Sequence, residues 1–111
     1  MKMTVREMAD ALSLTQISVG DADRTFDGVY IGDLLSWVMG RAESGNVWIT
    51  IMSNINIVAV ATLADVACIV LAEGVTLDDN VRTTAEQKGV NIFTTEMTAY
   101  EIAARLATIE Q

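Results

Sequence analysis

Three short runs, "VWITIM", "ACIVLA" and "VNIFTT", restrict the folds open to this chain more than anything else in it. Each carries apolar residues at consecutive positions, so both faces of an extended segment are oily, whereas a half-exposed strand alternates. Strands apolar on both faces belong to parallel sheets covered by helices. Parallel neighbours also need a crossover of about a dozen residues or more, usually a helix. The 14 residues "SNINIVAVATLADV" between the first two runs suit that task and are read as helix, although their β-branched residues favour strand. The expectation is an α/β fold: a predominantly parallel or mixed sheet of four to five strands flanked by helices.

Other segments fill in the pattern. "TVREMADAL" opens with a capping box, in which Thr4 and Glu7 each accept from the other's amide, and Val5, Met8, Ala9 and Leu12 share one helical face. "SLTQISV" alternates and reads as a half-buried strand ending at Gly20. "DADRTFDG" is a turn region, and "GVYIGD" is a second short strand. Asp33 is expected to cap a helix with Leu34, Leu35, Val38 and Met39 inward, ending at Gly40. After the turn "ESGN" and the crossover, "TLDDNVRTTAEQKG" reads as a helix capped by Thr76, with Lys88 in its last turn and Gly89 beyond. "TEMTAYEIAARLATIEQ" closes the chain as an amphipathic helix with Met97, Tyr100, Ile102, Ala103 and Leu106 inward. No repeat, linker or low-complexity stretch interrupts this, so residues 1–111 are expected to form a single domain.

The hydrophobic fraction of 51% is high for 111 residues, whose surface is large relative to their volume. Apolar surface is therefore expected to be left over for a partner: a homodimer or larger homo-oligomer, or a partner enzyme. A net charge of −8 repels phosphate backbones, which argues against nucleic acid and anionic membranes. The 18-residue stretch "INIVAVATLADVACIVLA" contains Asp65 near its centre. A carboxylate there costs roughly 2.5–3.5 kcal/mol on insertion scales, so the stretch is read as buried core. The lone Cys68 lies in an apolar run, where a thiol is a small hydrophobe. With charged residues early in "MKMTVREMADAL" arguing against a signal peptide, a cytoplasmic location is expected.

"DRTFDGVYIGDLLS", followed by "GNVWIT", "NIVAVATLADVACIVLAEG" and "AYEIAARL", resembles the DRTGG domain family over nearly the whole chain. The name-giving motif matches at Asp23, Arg24 and Thr25. Phe26 and Asp27 stand where glycines are expected, and Gly28 follows. The resemblance implies a small α/β domain similar in fold to the N-terminal domain of HPr kinase/phosphorylase. Such domains occur alone or fused to phosphotransacetylases or CBS-containing pyrophosphatases, and some standalone members are encoded beside iron-only hydrogenase genes. It further implies a regulatory or assembly role.

Candidate ligand or interface contacts fall in two places. The first is the acidic turn with Asp23, Arg24, Thr25, Asp27, Gly28 and Asp33, where Arg24 either holds an anion by a bidentate fork or pairs with one of the neighbouring acids Asp21, Asp23, Asp27 and Asp33. The second is Ser53 and Asn54, which follow a parallel strand and open a helix, where α/β sheets bind ligands. "AEGVTLDD" has the same geometry. The acids do not make an EF-hand, since Phe26 and Gly32 occupy positions that require Gly and Glu, and turn and cap duties explain them without a metal. The chain has no histidine and no G-x-x-x-x-G-K-[ST], G-x-S-x-G or C-x-x-C. No catalytic residue and no cofactor is therefore assigned. Asp23 with Asp33 is the remaining acid–base pair on which a carboxylate enzyme could be built.

These readings lead to a non-catalytic regulatory or interaction domain that self-associates and senses an adenine nucleotide or another small metabolite. The alternative is an accessory subunit docking on a larger hydrogenase-associated or phosphoryl-transfer enzyme through residues 23–36.

Overall fold

A computed structural model describes residues 2–109. Alternating elements run α1 (Val5–Leu12), β1 (Thr15–Ser18), β2 (Val29–Ile31), α2 (Leu35–Arg41), β3 (Val47–Thr50), α3 (Asn56–Ala64), β4 (Cys68–Leu71), α4 (Asp79–Gln87), β5 (Ile92–Thr94) and α5 (Ala99–Ile109). Glu110 and Gln111, which the sequence assigns to the closing helix, lie outside the described residues.

The strands form one five-stranded sheet in the order β1-β5-β4-β3-β2. Strands β2 to β5 are mutually parallel and β1 runs antiparallel to β5. Strands β3 and β4 are buried along their whole length, the outcome required of segments apolar on both faces. Their side chains divide strictly by parity. Ile49, Val70 and Phe93, in register across three strands, enter one core with the buried residues of α1 and α5. Trp48, Ile69 and Ile92 form the equivalent row on the other face and pack under α2, α3 and α4. The result is a helix–sheet–helix sandwich, with the crossover helices on one side and the two outer helices on the other.

Local signals account for much of this. The capping box is present in full: the Glu7 amide donates to Thr4 Oγ1 and the Thr4 amide to Glu7 Oε1. It starts α1 so that Val5, Met8, Ala9 and Leu12 face the sheet. The β-branched segment 56–64 is helical, because tertiary packing and the parallel connection outweigh a weak propensity. Its burial also settles the apolar 18-residue stretch as α3 plus β4. Among the described residues no helix is long and apolar enough to cross a membrane. Burial pushes the Cys68 thiol up to about 12, so it stays protonated and packs as a small apolar group.

Several expectations are corrected. Asp33 does not cap α2, whose N-terminal boundary at Leu34 has no side-chain cap. Gly40 lies within α2, and Leu34 and Met39 are exposed because the helix buries mainly Val38. Helix α4 begins two residues later than a Thr76 cap requires, with Asp78 at its N-terminal boundary. Tyr100 is 81% exposed, since α5 turns Ile102 and Leu106 toward the sheet and leaves Tyr100 outside that stripe.

Candidate functional site

The parallel register of β2 and β3 splits the sequence-derived candidates. Asp23, Arg24, Thr25, Asp27 and Gly28 precede β2 and lie at the amino edge of the sheet. Asp33, Ser53 and Asn54 follow β2 and β3 and lie at the carboxyl edge. The eight residues therefore do not form one site. Asp23 and Asp33 are at opposite ends, which removes the acid–base pair considered for a carboxylate enzyme.

The amino-edge loop is tied to α1 through its backbone. Val5 and Arg6 donate to the carbonyls of Arg24 and Ala22, Phe26 donates to that of Met3, and Thr25 bridges Thr4. Phe26, standing where the family name calls for glycine, is buried in the core beneath α1 and α5. Gly28 adopts φ +77°, and a Cβ there would crowd the Asn46 amide, which donates to the Asp27 carbonyl at 2.8 Å. Asp23 accepts from Arg6 at 3.2 Å and Asp27 from Lys2 at 3.2 Å, both as solvent-exposed pairs.

Arg24 makes the strongest contact of the loop, and its partner is not one of the four neighbouring acids. The guanidinium forks onto both carboxylate oxygens of Asp65 at 2.9 and 3.1 Å and also reaches the Asp65 carbonyl at 2.9 Å. Asp65 sits 41 residues away in sequence, at the end of α3, in the left-handed conformation with φ 57°. Ser44 donates to the same carboxylate, and the Gly45 amide donates to the same carbonyl at 2.9 Å. One arginine thus fastens the pre-β2 loop and the pre-β4 turn together, a use for which its planar fork is suited. Arg24 so engaged acts as a latch between the two loops.

The Arg24 and Ser44 hydrogen bonds hold the Asp65 carboxyl below its ordinary value near 3.8. A depressed carboxylate contributes stability above its unfolded value, and that contribution is lost as pH falls through its folded value. The Asp65 side chain is 59% exposed, so solvent screening limits the effect. Arg24→Ala is expected to lower stability by about 1–2 kcal/mol at neutral pH. In urea titrations the gap between wild type and variant should close as pH drops below 3.8.

At the carboxyl edge, Asp33 Oδ1 accepts from the Thr50 hydroxyl at 2.8 Å and the Ile51 amide at 3.0 Å, closing the β2–α2 loop onto the end of β3. Asn54 accepts from the Asn56 amide at 2.9 Å and opens α3, while Ser53 is exposed. Ligands in open α/β sheets favour the crevice where strand order reverses. Here β2 to β5 follow one another across the sheet without reversal, so this edge has no such crevice.

The sequence leads one to expect apolar surface beyond what the core can hide, and the structure exposes such surface on and around the edge strand β2. Ile31, Leu34 and Trp37 are each at least half exposed, and Met39, Ile51 and Ile55 are more than two-fifths exposed. The Arg41 guanidinium lies 3.7 Å from the centre of the Trp37 ring and covers part of it. The signal was the excess of apolar residues over what a small core can hide. Its place was legible only in part: residues 23–36 include Ile31 and Leu34, but Leu34 and Met39 match a helical stripe as well as any buried residue does, and Trp37 lies beyond that segment.

The comparisons with known proteins agree with this fold. A crystal structure of the CBS and DRTGG domains of the regulatory region of Clostridium perfringens pyrophosphatase, complexed with the activator diadenosine tetraphosphate, superposes with a TM-score of 0.76 at 15% identity. The match covers 93% of this chain and 45% of that one, so the present chain spans less than half the length of its structural neighbour. At that identity the shared property is the fold. No curated protein matches the chain. The DRTGG domain family matches residues 7–109, which include the Arg24 latch, the sheet and the closing helix, and the chain belongs to that family.

Proposed function

We propose that this chain is a non-catalytic regulatory domain of the cytoplasm. It assembles with a second copy through the β2–α2 surface and senses an adenine nucleotide or another small metabolite. The observation carrying the assembly is the exposed group Ile31, Leu34 and Trp37 beside an edge strand whose outer backbone groups have no sheet partner among the described residues. Exposed apolar surface and open sheet edges are both normally covered, and a two-fold pairing covers them on both copies at once. The nucleotide part is supported by the neighbour, a regulatory region crystallised with a dinucleotide activator. The free buried thiol fits a reducing compartment.

Sedimentation equilibrium tests the assembly. The wild type should sediment as a dimer or larger species, and Trp37→Glu should weaken association about 30-fold or more, as loss of a central aromatic anchor does. A wild-type monomer at high concentration would count against it.

A second reading is favoured by one observation: the matched fold is part of a longer regulatory chain. In that reading the same surface docks on a larger hydrogenase-associated or phosphoryl-transfer enzyme. The likeness to the HPr kinase N-terminal domain, implied by the family resemblance, belongs with it. A stoichiometric enzyme partner recovered from native extract, in place of self-association, is its distinguishing result.

A further inference from the structure

We infer that the groove between α3 and α4 binds a flat heteroaromatic ligand carrying one anionic group, of which a nucleoside monophosphate is the simplest example. The inference rests on the small-metabolite part of the function proposed above and gives it a location. The groove encloses about 370 Å³, within the range of roughly 300–1,000 Å³ typical of small-molecule sites. Its α3 side is mainly apolar, with Ile55, Val58, Ala59 and Leu63 beside Asn56 and Thr62, and its α4 side carries Thr84 and Lys88. Leu63 is 72% exposed and Ala59 beside it is also exposed, so α3 presents apolar surface to the groove.

The two walls specify the ligand. Apolar surface on α3 beside the hydroxyls of Thr62 and Thr84 suits a planar ring with a polar edge, since one ring face can lie on Val58, Ala59 and Leu63 while its edge reaches the hydroxyls. Thr62 and Thr84 already donate their hydroxyl protons to the carbonyls of Val58 and Asn80 at 2.9 and 2.8 Å. Their oxygens are left as acceptors, so the ring edge should present an N–H or O–H.

Charge complementarity comes from Lys88. Its ammonium has no salt-bridge or hydrogen-bond partner among the described residues. The residue stands at the end of α4 in a chain of net charge −8. A second, polar hollow of about 140 Å³ shares Thr62 and Lys88 with the groove. Within it Arg24 is committed to Asp65, and the Asn91 amide to the backbone of Gly20, Asp21 and Ala67. Lys88 is thus the cation left to meet an anion at the junction. Asp21 in the same hollow sets the upper limit, because its carboxylate and the acidic field repel a polyphosphate more than a single phosphate.

The test is a titration of the full chain with AMP, followed by amide chemical shifts and by calorimetry, with adenosine, ATP and decanoate as comparators. AMP should shift Val58, Leu63, Thr84 and Lys88 and bind more tightly than the other three. Lys88→Glu and Leu63→Glu, both at exposed positions, should each weaken it at least tenfold, since a charge-assisted hydrogen bond contributes about that factor. Shifts confined to the Asp33–Ser53 end, with AMP affinity unchanged in Lys88→Glu, overturn this site while leaving nucleotide sensing intact. Tighter binding of ATP in the groove overturns the single-anion assignment, and binding of decanoate but not AMP overturns the heteroaromatic one. No shift with any adenine compound removes both the site and the nucleotide part of the function, with self-association unaffected.

Discussion

Replacing Trp48 by alanine is expected to cost about 3–5 kcal/mol, a large share of the stability of a domain this size. Trp48 is fully buried in the middle of the sheet face that supports α2, α3 and α4, between Tyr30 and Ile69 in register. Its removal leaves a cavity in the core beneath the crossover helices, and close-packed interiors relax into such a space only partly. The indole N–H also donates to the Gly32 carbonyl at 2.9 Å, so the ring fixes the chain just past β2 as well as the core. Trp48→Phe separates the two contributions: it keeps most of the volume and loses the hydrogen bond, and should cost about 1–2 kcal/mol. Urea unfolding followed by circular dichroism measures both. Equal costs for the two variants would show that the hydrogen bond, not the cavity, dominates.

The second large effect is expected at Asn91, whose side chain joins three strand ends by polar contacts inside the fold. Its Oδ1 accepts from the Gly20 amide at 2.8 Å, and its Nδ2 donates to the carbonyls of Asp21 at 2.8 Å and Ala67 at 3.2 Å. The residue is 3% exposed. Asn91→Leu keeps roughly the same volume but deprives these backbone groups of their partner, and an orphaned buried group costs about 1–3 kcal/mol. With one or two of the three left unsatisfied, the loss should be about 2–4 kcal/mol. Hydrogen exchange gives a local check: the Gly20 amide should lose protection before the central strands do. A variant as stable as wild type would mean that water replaces the amide at this place.

Both predictions rest on features that differ in how far the sequence disclosed them. The strands around Trp48 were legible because "VWITIM", "ACIVLA" and "VNIFTT" carry a pattern that only a doubly covered sheet explains. Helix α3 was legible from the length that a parallel crossover needs, even against its β-branched composition. Asp65 as the partner of Arg24 was not legible, because it is 41 residues distant and four acids lie closer in sequence. The role of Asp33 failed for a related reason. A residue before a helix reads as its cap, yet Thr50, 17 residues on, competes for the same carboxylate through the parallel pairing of β2 and β3. Tyr100 and Leu34 show the limit of periodicity, which identifies a stripe but not its edges.

The DRTF corner has a structural part in the fold, and the function proposed above uses other surfaces. Arg24 spends its charge on Asp65, and Phe26 fills core where a glycine would leave a hole. Of the exposed large apolar residues, Ile31, Leu34, Trp37 and Met39 lie on β2, α2 and the joint between them.

The most direct test is to run Arg24→Ala and Trp37→Glu side by side in sedimentation equilibrium and urea unfolding. Arg24→Ala should unfold at lower urea while associating as the wild type does, and Trp37→Glu should keep its unfolding midpoint in the monomer range while losing association. The reverse pattern, with assembly abolished by Arg24→Ala at unchanged stability and untouched by Trp37→Glu, would contradict the account.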